Sequence, residues 1–92
     1  MINDGAIYHP DDNSYVFQDE QGRAHRESGP AHINNDYMEY RQHGNLHNLE
    51  GPAFIEFENK KLRRPQYVEY WIHGRFFSFD DWKVQVELER KK

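Results

Sequence analysis

Six histidines stand among 92 residues, and histidine is the side chain best suited to bind a metal or move a proton near neutral pH. A zinc site needs three or four convergent ligands. No helix carries a His-x-x-x-His pair, and the chain has no cysteine. Repetition accounts for four of the six more simply: His25 matches His47, and His43 matches His73, within an internal repeat. No metal and no cofactor is expected. His25 with Glu27, or Asp80 with Asp81, can be drawn as acid–base pairs. Adjacent carboxylates at a helix start are better accounted for by the helix dipole. There is no Gly-x-Ser-x-Gly elbow, no phosphate loop and no dinucleotide-binding glycine pattern. The expectation is a protein that binds rather than catalyses.

Binding chemistry has three sources in the sequence. A basic cluster, Lys60, Lys61, Arg63 and Arg64, lies among aromatic residues that could stack bases. The net charge of −4 opposes general nucleic-acid binding, and such a cluster also suits a solvated loop. Acidic side chains, among them Asp11, Asp12, Asp19, Glu20, Glu27, Glu50, Glu56 and Glu58, could instead mimic nucleic acid in a basic channel of another protein. The third source is aromatic: six Tyr, six Phe and two Trp.

These residues must be positioned by a small scaffold. A chain of 92 residues is read as one domain with a thin core. No apolar run approaches the ~18 residues of a membrane span. Met1-Ile2-Asn3-Asp4-Gly5 lacks the charged and apolar regions of a signal peptide, and the lack of cysteine fits a cytoplasmic protein.

The scaffold repeats. Gly22-Arg23-Ala24-His25-Arg26-Glu27-Ser28-Gly29-Pro30-Ala31-His32-Ile33 aligns with Gly44-Asn45-Leu46-His47-Asn48-Leu49-Glu50-Gly51-Pro52-Ala53-Phe54-Ile55, an offset of 22 residues. Tyr37-Met38-Glu39-Tyr40-Arg41-Gln42-His43-Gly44 aligns with Tyr67-Val68-Glu69-Tyr70-Trp71-Ile72-His73-Gly74, an offset of 30. The eight extra residues fall after Glu58 and read as a lengthened hairpin loop. A degenerate first copy, Tyr15 to Gly22, precedes both. Each copy reads as strand, glycine turn, extended segment, Gly-Pro-Ala, strand. Strands are expected at Ala31–Asn34, Tyr37–Gln42, Ala53–Glu58 and Tyr67–Ile72.

The Gly-x-x-His-Arg-x-x-Gly-Pro-Ala unit, with its Tyr/Trp-rich strands and Asn/His-Gly turns, resembles the short repeats of bacteriophage and large-virus proteins. Those repeats are MORN-like in their hairpin stacking. The resemblance covers roughly residues 14 to 85. It departs where the usual Asp before Gly-Pro-Ala is Ser28 or Glu50, and where the Arg after His becomes Asn48. It implies a mainly β fold, an antiparallel sheet of stacked hairpin repeats with a short C-terminal helix. It also implies a phage or mobile-element origin, hence a bacterial host cytoplasm. The division expected is an N-terminal arm at 1–13, hairpin repeats at 14–77 and a closing helix at 78–92. The last segment reads two ways. Trp82, Val84, Val86 and Leu88 alternate like a strand, whereas Ser78, Asp80 and Asp81 suit a helix start. Capping and the resemblance favour the helix.

Strand side chains alternate between faces. Ile33, Met38, Tyr40, Ile55, Phe57, Val68, Tyr70 and Ile72 form the better core face. The other face carries Tyr37, Glu39, Arg41, Phe54, Glu56, Tyr67, Glu69 and Trp71. Either the C-terminal segment covers part of that second face, or the face binds a partner, since Tyr, Trp and Arg are frequent interface anchors. The leading expectation is a non-enzymatic protein-binding module. The resemblance extends this to an inhibitor of a bacterial host or defence protein, such as a CRISPR effector or a nuclease. The alternatives are an RNA- or DNA-binding module using the Lys60–Arg64 loop, and a self-assembling repeat that forms homo-oligomers through sheet edges.

Overall fold

A computed structural model describes residues 5–58, 61 and 63–92. The protein is mainly β with one C-terminal helix. Seven strands form one antiparallel sheet: β1 (Ile7–His9), β2 (Ser14–Val16), β3 (His32–Ile33), β4 (Tyr37–Glu39), β7 (Phe54–Phe57), β8 (Pro65–Ile72) and β9 (Arg75–Phe77), side by side in that order. Between β4 and β7 the chain makes a separate two-stranded hairpin, β5 (Arg41–Gln42) and β6 (Asn45–Leu46). The helix α1 spans Phe79–Arg90. The segment read as an arm contains a strand, because Ile7–His9 pairs with Ser14–Val16 and extends the sheet.

The turns explain the strand order. His43 and Gly44 both have positive φ (49° and 87°), as do His73 and Gly74 (51° and 78°). Two successive positive-φ residues match the twist of flanking strands and close a tight hairpin. The first repeat's hairpin, closed by the Gln18–Ala24 bridge around Gly22, differs. Of its turn residues Gly22 has positive φ, while Asp19 Oδ1 accepts the N–H groups of Gln21 and Arg23. That turn holds one more residue, and the hydrogen bonds show it. The Phe17 N–H donates to Ala31 O, just as the Tyr40 N–H donates to Ala53 O. Phe17 therefore corresponds to Tyr40, and Tyr15 corresponds to Met38 rather than to Tyr37. This corrects the ungapped alignment of the first copy: a one-residue shift moves a side chain to the opposite face, and Tyr15 lies in register with Ile33 and Met38 on the core side.

Gly-Pro-Ala has a packing role that alternation alone does not reveal. Ala31 and Ala53 are fully buried, and their N–H groups donate to Glu39 O and Glu69 O. One residue earlier, Pro30 and Pro52 have no N–H to satisfy, and their carbonyls accept from the Arg26 guanidinium and the Asn48 amide. A Cβ on Gly29 would stand 3.3 Å from the Arg26 guanidinium. Asn48, the apparent departure from the repeat, thus does the work of Arg26 with a shorter side chain.

The helix covers one face of the sheet at its C-terminal end, over β8 and β9. Tyr70 packs its ring on Phe79 and Trp82 (centroids 5.2 and 4.9 Å), and the Trp82 indole N–H donates to Asn48 O. Ser78 caps the helix through the Asp81 N–H, with Asp80 and Asp81 in the first turn. The strand-like alternation of Trp82, Val84, Val86 and Leu88 is resolved by burial: Val86 is covered, whereas Val84 and Leu88 face outward. Among the described residues, the buried apolar side chains are Phe17, Ala31, Ala53, Ile55, Phe57, Ile72 and Val86. Ile33, Met38, Tyr40, Val68 and Tyr70 are half-buried on the same face. Each fully buried Ile or Phe contributes about 1.5–3 kcal/mol.

Gly74 is the corner where spacing is tightest, since an added Cβ would lie 3.2 Å from Asn45 Oδ1, whereas one on Gly22 would meet nothing within 4 Å. Gly22→Ala is expected to cost about 1–2 kcal/mol from its positive φ alone, and Gly74→Ala more than that. Urea denaturation midpoints check the order. Equal losses would deny that the turns stack closely.

Candidate functional site

Seven of the eight residues read as a contact face lie on one face of the seven-stranded sheet, and the eighth, Arg41, reaches Glu39 from the separate β5–β6 hairpin. Strand pairing places Val16, His32, Glu39, Phe54 and Glu69 in one row across five strands. The next row is Tyr37, Glu56 and Tyr67. Trp71 follows two residues beyond Glu69, with Phe76 opposite it on β9. Aromatic and acidic side chains therefore alternate in both directions. The helix packs on the other side, against Tyr70, so it does not cover this face. Tyr67 and Phe76 are 49% and 57% exposed, and Tyr37 and Trp71 are half-buried by their neighbours in the rows.

Ring contacts join the rows: Tyr37 to Phe54 at 5.5 Å, Phe54 to Tyr67 at 6.2 Å and Trp71 to Phe76 at 5.5 Å. Glu69 fixes two of these rings. One carboxylate oxygen accepts the Tyr67 hydroxyl at 2.7 Å, and the other accepts the Trp71 indole N–H at 2.9 Å. Glu39, its repeat equivalent, accepts from Arg41 Nε at 3.0 Å and lies 3.4 Å from His32 Nδ1. The charges differ accordingly. Glu39 is neutralised by Arg41, whereas both donors to Glu69 are uncharged, and Glu56 has no ion pair among the described residues. The local potential is negative. The Tyr67 phenol is pushed above its usual range, first by its bond to Glu69, then by burial and by the charges of Glu69 and Glu56.

His32 and Phe76 belong to this face and were missed in the sequence. A register signal existed for Phe76: a two-residue turn at His73-Gly74 necessarily sets Trp71 opposite Phe76. A signal existed for His32 as well: the repeat aligns it with Phe54, and alternation sets it opposite in face to Ile33.

The basic loop is less available than its composition suggests. Lys60 lies outside the described residues. The Arg63 guanidinium sits 4.2 Å over the Phe57 ring, on the core side, and donates to Asn34 O. Arg64 lies 3.7 Å from Glu58. Lys61 is exposed and also makes an interaction. Two open grooves, of about 450 and 530 Å³, flank Leu49 and Glu50, and neither is lined by the residues of the aromatic face.

Four of the histidines hold the repeats together. The His43 N–H donates to His25 Nδ1 at 3.0 Å, and the His73 N–H donates to His47 Nδ1 at 2.9 Å. The His25 and His43 rings stack at 4.1 Å, and the His47 and His73 rings lie 4.3 Å apart, tilted by 30°. An acid then braces the later ring: Asp19 Oδ2 lies 2.8 Å from His43 Nδ1, and Glu89 Oε1 lies 3.3 Å from His73 Nε2. His43 and His47, though four residues apart, belong to different pairs. No group of three potential metal ligands occurs among the described residues.

An imidazole that accepts at Nδ1 must keep that nitrogen unprotonated. Burial, followed by the neighbouring His73, lowers the pKa of His47 below its usual 6.5. The unfolded chain therefore binds the proton more readily, so this contribution to stability is complete above pH 6.5 and declines as the pH falls below it. Asp19 and Glu89 are lowered as well, chiefly by hydrogen bonds from His43 and Gln85, and add a further loss below about pH 4. His47→Phe keeps a ring but strands the His73 N–H. It should cost about 0.5–1.5 kcal/mol at pH 7.5 and flatten the fall in denaturation midpoint between pH 7 and 5.5. A variant as stable as the parent would remove this role from His47.

No protein-family model, curated protein or solved structure matches the chain, so what this face does must be read from its own geometry and chemistry.

Proposed function

We propose that the protein is a non-catalytic binding module whose open aromatic face docks on another protein. The observation that carries this reading is the checkerboard of Tyr37, Phe54, Tyr67 and Trp71 with Glu39, Glu56 and Glu69, held on the side of the sheet that the helix does not cover, with Arg41 reaching Glu39 from the adjoining β5–β6 hairpin. Rigid aromatic side chains give large contact area at low entropic cost, and they concentrate binding energy when a partner excludes water from them. Glu69 pre-sets two of the rings by its hydrogen bonds, which lowers the ordering cost of docking.

The acidic character of the face suits a partner with a basic surface. A nuclease or CRISPR effector offers such a surface in its nucleic-acid channel. Inhibition of a bacterial host or defence protein is the finer proposal, and its support is the resemblance to phage repeat proteins together with this complementarity. Direct nucleic-acid binding through the Lys60–Arg64 loop is disfavoured, because Arg63 and Arg64 are drawn to Phe57, Asn34 and Glu58. No helix among the described residues is long and apolar enough to cross a membrane.

Capture from bacterial lysate on the immobilised protein tests the proposal. One retained protein is expected, and Tyr67→Ala or Tyr37→Ala should weaken its retention at least about tenfold while leaving the melting transition of the variant cooperative. Retention unchanged in both variants would exclude the face. Retention of nucleic acid instead, with a steep salt dependence, would favour the basic loop.

A further inference from the structure

We infer that the open face receives an arginine side chain of its partner, seated over Tyr37 and Tyr67 with its guanidinium on the Glu56 carboxylate. This inference rests on the docking role proposed above and specifies its chemistry. The first ground is a comparison within the molecule. Four phenyl rings elsewhere carry a cation of the chain's own: Arg26 over Phe17 at 3.9 Å, Arg63 over Phe57 at 4.2 Å, Arg75 over Phe77 at 5.0 Å and Lys83 over Phe79 at 4.8 Å. Phe17, Phe57 and Phe77 lie on the core side of the sheet and Phe79 lies on the helix. Among the described residues, none of Tyr37, Phe54, Tyr67 and Trp71 carries one.

The second ground is the charge balance across the face. Arg41 is committed to Glu39 and to the Gly44 carbonyl, so it does not serve the other acids. Glu69 is held by two neutral donors. Glu56 is flanked in register by Tyr37 on one side and Tyr67 on the other, with Phe54 two residues along its own strand. A carboxylate in register between two tyrosines, whose rings both meet Phe54, offers one incoming group acceptor oxygens beside π faces. A planar guanidinium satisfies both at once, by paired N–H···O bonds and by stacking. A lysine ammonium is more strongly hydrated and forms no such fork. The occupant is therefore an arginine on a basic protein surface.

The test uses the full chain and two synthetic probes, hexa-arginine and hexa-lysine peptides, titrated at about 0.15 M salt where distant charges are screened. Amide and ring-proton shifts are followed by NMR. Hexa-arginine should bind about fivefold more tightly than hexa-lysine, a margin of about 1 kcal/mol, with shifts concentrated on Tyr37, Phe54, Glu56 and Tyr67. Glu56→Gln should weaken hexa-arginine about fivefold and erase the preference. Glu20→Gln, which removes the same charge from the exposed turn of the first repeat's hairpin, should change affinity less than twofold. Equal losses in the two variants, or equal affinity for the two peptides, would overturn the inference and reduce the effect to net charge. If Tyr67→Ala loses the lysate partner while Glu56→Gln keeps it, the face still docks but the arginine is excluded.

Discussion

The structure depends on the bond between one repeat's histidine and the next repeat's turn. A backbone N–H at the positive-φ corner of a hairpin has few partners of its own. His25 and His47 supply the acceptor, and the rings of His43 and His73 then lie against them. Each clasp sets one hairpin directly above another, and Gly44 and Gly74 allow it because their neighbours, Arg23 and Asn45, lie within van der Waals distance. Once the corners are aligned, the register of β4, β7 and β8 is fixed. Register in turn decides which side chains share a face. The aromatic and acidic checkerboard follows from this alignment.

A sheet built this way has an unusual distribution of burial. The helix covers β8 and β9 at one end, and much of the rest is a single layer whose side chains shelter one another. The fully buried positions are accordingly few, and two of them are the alanines that follow Gly-Pro. Buried polar groups are handled locally: Arg26 and Asn48 reach back to the proline carbonyls, and Trp82 caps the carbonyl of Asn48. The open face keeps its own order through Glu69 and Glu39 without a covering layer.

Much of this was legible in the sequence, for identifiable reasons. The repeat fixed the place of Gly44 and Gly74, and simple alternation then separated Tyr37, Glu39, Phe54, Tyr67, Glu69 and Trp71 from Met38, Ile55, Val68 and Tyr70. Ser78 with Asp80 and Asp81 marked the helix against a competing strand pattern, because a cap bond and first-turn acids favour a helix start whatever alternation follows. Three things were not legible. The first repeat's hairpin carries an extra turn residue, held by Asp19 side-chain bonds that no spacing rule discloses. The strand at Ile7–His9 is too short to show a period and forms only through pairing with β2. The histidines read as polar turn residues, whereas their role lies between repeats, in contacts 18 and 26 residues apart.

The register across β4, β7 and β8 is the claim on which the two faces stand, and cross-strand Hα–Hα nuclear Overhauser effects measure it directly. Met38 should lie opposite Ile55, and Ile55 opposite Val68, with the Trp82 indole close to the Tyr70 ring and distant from Trp71. A pattern that sets Ile55 opposite Glu39 or Glu69 would mean a one-residue slip. Phe54 would then turn toward the helix side, and the aromatic surface described above would not exist.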